Sequence, residues 1–156
     1  MNYKEQLQQF FPRYMRETGR IGAVDPHDVA AWALQKKLWE PRPKDIIKQL
    51  ADDLSKAWRE EYRTDKYGRR YRTKHAVKGS GPHQHTLWAD MEGASRNHME
   101  QAFGQRRQQV VGDCLQLKTD VDVFNDKRPE EEPIYVVLDF TNDVDELQQL
   151  QMPKAS

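Results

Sequence analysis

One cysteine, Cys114, is too few for an intrachain disulfide, so packing and hydrogen bonding have to hold this fold together. Long apolar runs are missing too. No stretch approaches the ~18 residues a membrane-spanning helix needs, and no basic-then-apolar leader opens the chain. The expectation is a soluble, cytoplasmic protein with no membrane contact. Glycine is sparse, at 8 residues, and none of it forms a phosphate-cradling loop of the P-loop type. No nucleophile stands beside a recognisable base, and no segment repeats. These absences turn the reading away from catalysis and from any cofactor.

Apolar residues make up only 37% of the chain and charged residues 32%, so the core is small for the surface it supports. Four Trp, six Tyr and five Phe compensate in part, because each buries a large area. The net charge is zero, but it is unevenly spread. Residues 1–55 carry nine bases and eight acids, and residues 56–78 carry nine bases and three acids. Residues 79–112 balance at three each, and residues 113–156 carry four bases against eleven acids. A +6 segment followed by a −7 segment points to a polyanion-binding face with an acidic counterpart.

Hydrophobic spacing predicts a helix over residues 3–18, interrupted or kinked at Pro12, and ended by Gly19 and Gly22. Asp25 as N-cap and Pro26 at the first helical position start a second helix, expected to run to about Trp39. Pro43 opens a third, on which Ile46, Ile47, Leu50, Leu54, Trp58 and Tyr62 make one apolar stripe. The period then changes to two. Tyr71, Thr73, His75 and Val77 alternate with Arg70, Arg72, Lys74 and Ala76, and residues 85–88 return as the second strand of a hairpin. Ser95 caps a long helix to about Phe124, in which Phe103, Val110, Leu117 and Phe124 recur every seven residues. About 30 residues make it ~45 Å long, enough to dimerise. Residues 134–140, IYVVLDF, are apolar at almost every position and predict a closing strand buried on both faces. A short helix follows, through Leu150.

The basic run carries the strongest functional signal. Alternation sets Arg70, Arg72 and Lys74 about 6.6–6.8 Å apart on one face, close to the spacing of successive phosphates along a nucleic-acid strand. Lys56, Arg59 and Arg63 precede them on the helix. Lys66, Arg69 and Lys78 flank them, and Tyr71 can stack or pack. As an interaction set these residues predict nucleic-acid binding, to DNA in preference to RNA, without an enzymatic step. His83 and His85 share a loop and have no second spaced pair for a zinc site. Asp139, Asp143, Asp145 and Glu146 read as caps and solvated charges in preference to Mg²⁺ ligands. Arg70 and His75 match the R-x4-H spacing of HEPN ribonucleases, but on a β-alternating run instead of a helix.

Helix, short turn, helix and hairpin in this order, over residues 25–90, resemble a winged helix-turn-helix DNA-binding domain. The resemblance implies a reading helix carrying Lys44, Lys48, Lys56, Arg59 and Arg63, and a wing carrying Arg70, Arg72 and Lys74. The fold expected is α+β and predominantly helical: a winged-helix-like core with a basic hairpin, a long C-terminal helix and a final strand. Residues 1–128 form the α-rich domain, and residues 129–156 an acidic linker, strand and short helix. The function expected is that of a DNA-binding regulator or accessory subunit, with a homodimer through residues 95–124. The alternatives are a protein-interaction adaptor using the basic hairpin and the acidic C-terminal region and, behind it, a metal-dependent or HEPN-like nuclease.

Overall fold

A computed structural model describes residues 1–42, 45–79 and 86–151. The chain divides into two compact units, Met1–Asp52 and Asp53–Ser156.

In the first unit, α1 (Tyr3–Thr18) starts on a complete capping box. The Asn2 side chain accepts from the Glu5 N–H, and the Glu5 carboxylate accepts from the Asn2 N–H. Pro12 lies inside the helix, and the element continues past it. Gly19, at φ 70°, ends it in the left-handed conformation that glycine adopts without steric cost. In α2 (Pro26–Gln35), Asp25 caps through the His27 N–H, as its sequence position predicts. This helix stops about a turn earlier than the expected Trp39. Lys37 takes φ 58°, its N–H reaches the Leu34 carbonyl, and the Leu38 N–H reaches the Ala33 carbonyl. That is a Schellman turn with lysine in the place that usually holds glycine. Tyr14, Trp32 and Ala33 form the buried centre, with Phe10, Met15, Val24, Val29 and Leu38 around it. The Trp32 ring meets Phe10 and Tyr14 edge-on, and its indole N–H donates to Glu17.

Helix α3 (Asp45–Arg59) crosses the boundary between the units. It ends at Arg59, so Tyr62 does not continue its stripe. Tyr62 instead opens β1 (Tyr62–Thr64), which pairs antiparallel with β2 (Arg70–Arg72). A second hairpin joins β3 (Lys74–Lys78) to β4 (Thr86–Asp90), with Ala76 opposite Trp88. The single hairpin expected from the sequence is therefore two, each of two strands. Beyond them α4 (Arg96–Lys127) is one continuous helix of 32 residues, unbroken at Gly104 and Gly112. It packs on β3 near its N-terminal end.

Residues 134–140 do not form the expected closing strand. Their backbone runs without helix, turn or bend, and no strand pairs with them among the described residues. Tyr135 and Val137 are exposed, not buried on both faces. Apolar composition raises strand propensity, but it could not supply a partner. Helix α5 (Thr141–Gln151) follows, with the Asp139 carboxylate accepting the Thr141 N–H. The architecture is a mainly helical α+β arrangement with two small hairpins. It shares helices and hairpins with a winged helix only in that generic sense.

The Lys37 turn gives the first prediction. A side chain at positive φ costs on the order of 1 kcal/mol relative to glycine. Lys37→Gly should therefore stabilise Met1–Asp52 by roughly 0.5–1 kcal/mol, read as a higher urea midpoint with an unchanged slope. A lower midpoint would contradict the turn.

Candidate nucleic-acid interface

Thr73 stands between the two hairpins, fully buried, with every polar group used. Its N–H donates to the Glu61 carbonyl (3.1 Å) and its hydroxyl to Glu61 Oε2 (2.8 Å). Its own carbonyl accepts the Met91 N–H at 2.7 Å. Lys74 Nζ closes on the same Glu61 carboxylate. Hydrogen bonds from Lys74 first and Thr73 second hold the Glu61 carboxyl below its ordinary range. A second tie joins the hairpins. The Arg63 guanidinium forks onto Asp90 at 2.8 and 3.2 Å and lies 3.6 Å from Glu92. The Glu92 N–H and then Arg63 hold Asp90 below the usual carboxylate range.

These ties bring β3 and β4 against α4. The Gln105 side chain brackets the end of β3, accepting the Lys78 N–H at 2.8 Å and donating to the Lys78 carbonyl at 3.0 Å. The His75 ring is buried edge-on against Phe103, with centroids 5.5 Å apart. His75 Nε2 lies 2.9 Å from the Arg72 carbonyl, and His98 Nε2 lies 2.9 Å from the His75 carbonyl. A carbonyl only accepts, so both Nε2 atoms carry hydrogen. Burial, opposed by the bond to Arg72 and reinforced by Arg106, Arg72 and His98, pushes His75 below its ordinary value.

Between the β3–β4 hairpin and α4 lies a cleft of about 800 Å³. Its walls carry Arg59, Arg72, Lys74, Lys78, Arg106 and Arg107 against one acid, Asp113. Phe103, His75 and Trp88 add ring surface. Trp88 also meets Trp58 edge-on at 5.7 Å, and the Arg59 guanidinium lies over it at 5.6 Å. Among the described residues, only Lys74 of these six cations is in an ion pair. Burial, and then the neighbouring Arg72 charge, push Arg106 below its usual value. Two guanidiniums lining one cleft without a carboxylate pair favour an anion there.

Of the residues expected from the sequence, Arg59, Arg72, Lys74 and Lys78 meet in this cleft. The bend at Thr73 divides the expected row. Arg70 turns onto the Tyr62 ring, 4.0 Å from its centroid, and lines a separate cavity with Tyr71, Arg69 and Met91. Arg63 is committed to Asp90, and Arg69 is paired with Asp65 at 2.7 Å. Lys66 lies over Tyr67, and Lys56 is exposed on α3, outside the cleft. Arg106 and Arg107 were absent from the expected set. In the heptad count Arg106 reads as a polar fault in an apolar seam. Its signal was the helical offset of three from Phe103, which brings it to the ring wall.

No protein-family model, curated protein or solved structure matches this chain. Among the described residues no group of three or more His, Cys, Asp or Glu side chains is placed to hold a metal ion. His83 and His85 lie outside the described residues. No helix among them is long and apolar enough to cross a membrane.

A depressed pKa makes neutral His75 the form the fold prefers. Its contribution is complete above the free value of 6.5 and is lost as pH falls through the lowered folded value. His75→Phe keeps a ring against Phe103 and removes the titration. Its urea midpoint should fall less than that of the parent chain as pH drops below 6.5. Parallel curves would contradict a buried, titrating His75.

Proposed function

We propose that this protein binds nucleic acid, DNA in the first instance, by seating the phosphate backbone in the cleft between the β3–β4 hairpin and α4. The observation that carries the reading is the juxtaposition of Arg72 and Arg106, free of carboxylate partners among the described residues, in a cleft with six cations and one acid. Arg59, Lys78 and Arg107 extend the charge, and Lys74 positions it through Glu61. Phe103 and Trp88 provide ring surface of the kind on which bases stack. The hairpin then acts on the backbone, as a wing does in winged helix-turn-helix proteins, and α3 has no need to enter a groove. Lys56, Arg63, Lys66, Arg69, Arg70 and Tyr71 lie outside the first contact set. No reaction is assigned, and the role is that of a regulator or accessory subunit.

The test is the salt dependence of binding to a fluorescent oligonucleotide. Each phosphate neutralised adds about 0.7–0.9 to the slope of log K against log salt. The double substitution Arg72→Ala with Arg106→Ala should lower the slope by roughly 1.4–1.8, while Arg70→Ala leaves it within error. An unchanged slope in the double variant would overturn the assignment.

A second reading, self-association, is favoured by the exposed stripe of α4. Phe103, Val110, Leu117 and Phe124 are all at least 39% exposed, and half-buried Cys114 and Val121 fall between them. Counted this way, apolar positions alternate at spacings of four and three from Val110 to Phe124, the pattern of a helix-pairing seam. A homodimer through α4 is the simplest occupant, and an adaptor role toward another protein the alternative.

A further inference from the structure

In the unit Asp53–Ser156, only Thr73, His75 and Ala102 are buried among the described residues, whereas twelve large apolar side chains from Phe103 to Phe140 are exposed. A folded domain of about 100 residues ordinarily buries well over half of its chain's surface. Uncovered apolar area on this scale marks an interaction face.

Residues 134–140 are the part of that face with the most specific geometry. Exposure alternates along them. Tyr135 is 85% and Val137 76% exposed, while Leu138 and Phe140 are each 37% and Val136 is half-buried. One side is partly covered and the other open. Both ends are fixed. The Asn125 side chain takes the Ile134 N–H and carbonyl, each at 2.9 Å. At the far end the Phe140 carbonyl accepts the Val144 N–H at 2.9 Å. Between these anchors no backbone N–H or carbonyl of residues 135–139 has a partner among the described residues. A run free of turn and bend, with its backbone groups open, is a template for strand addition.

We propose that residues 134–140 pair antiparallel with the same residues of a second copy, about a two-fold axis at Val137. The pairing rests on self-association through α4 and adds the contact that fixes its register. The sequence selects this occupant. The register sets Ile134 opposite Phe140, Tyr135 opposite Asp139, Val136 opposite Leu138 and Val137 opposite itself. The only charge in the segment therefore meets a tyrosine and not its twin, and the arrangement closes as a dimer. Side chains exposing roughly 50–150 Å² each, on the segment and the α4 stripe together, reach the ~800 Å² per partner of a standard interface. The flanks oppose it. Residues 129–146 hold seven acids and no base, so two copies repel there. Added salt screens that repulsion, and the dimer tightens with salt while phosphate contact weakens.

The experiment combines sedimentation equilibrium, without nucleic acid, with cysteine substitutions in a Cys114→Ser background. At the axis, directly opposed Cβ atoms lie about 4.5–5.5 Å apart, near disulfide reach. Two Tyr135 positions lie about 13 Å apart along the strands. The parent chain should be a dimer that tightens with salt. Val137→Cys should form a covalent dimer on mild oxidation and Tyr135→Cys should not, while Tyr135→Cys with Asp139→Cys restores it. These exposed positions do not support the fold, so a failure to cross-link is not a failure to fold. A dimer in which Val137→Cys links no faster than Tyr135→Cys keeps the helix pairing and overturns the strand pairing. A chain monomeric at every salt concentration overturns both and leaves the segment to a basic partner.

Discussion

Thr73 is the joint on which the second unit depends. A single buried residue uses its N–H, hydroxyl and carbonyl to hold the residue before β1 and the residue after β4 at the junction of two hairpins. Each bond is worth about 1 kcal/mol net, but leaving one of these groups unpaired in the interior costs ~1–3 kcal/mol. The bend therefore has a strong reason to stay where it is. Its consequence is electrostatic: Arg72 and Lys74 face the cleft and Arg70 does not. A uniform strand through position 73 would have placed all three in one row.

The rest of the positive face follows from what the acids are used for. Glu61, Asp65, Asp90 and Glu92 each pair with a cation of the two hairpins, so three of the nine bases in residues 56–78, Arg63, Arg69 and Lys74, are committed inside the fold. Of the six left free of carboxylates among the described residues, Arg59, Arg72 and Lys78 line the cleft, where α4 adds Arg106 and Arg107. Local excess charge is thus a poor guide to the binding surface, and the unpaired remainder is a better one.

Helix starts were readable because they depend on neighbours in sequence. Asn2 with Glu5, Asp25 with the His27 N–H, and Ser95 with the His98 N–H are all local bonds. Strand β1 was not readable. It has three residues, and Tyr62 sits at a helical offset from Trp58, so the helix stripe masks the change of period. The early end of α2 was hidden because lysine, not glycine, occupies the left-handed position. Residues 134–140 show the limit of composition in another way. A continuous apolar run raises strand propensity, but whether it becomes a strand depends on pairing with an edge, and no strand pairs with it among the described residues. Half of the cleft was legible, in the hairpin cations. The half on α4 was not, because Arg106 meets them only through tertiary packing.

The central claim is that nucleic acid lies in the cleft against α4. Photo-cross-linking with an oligonucleotide carrying 4-thiothymidine, followed by peptide mapping, locates it directly. Adducts should fall on the peptides holding Trp88 and Phe103, the ring walls of the cleft. Adducts confined to the β1–β2 turn around Tyr67, or to the unit Met1–Asp52, would contradict the account.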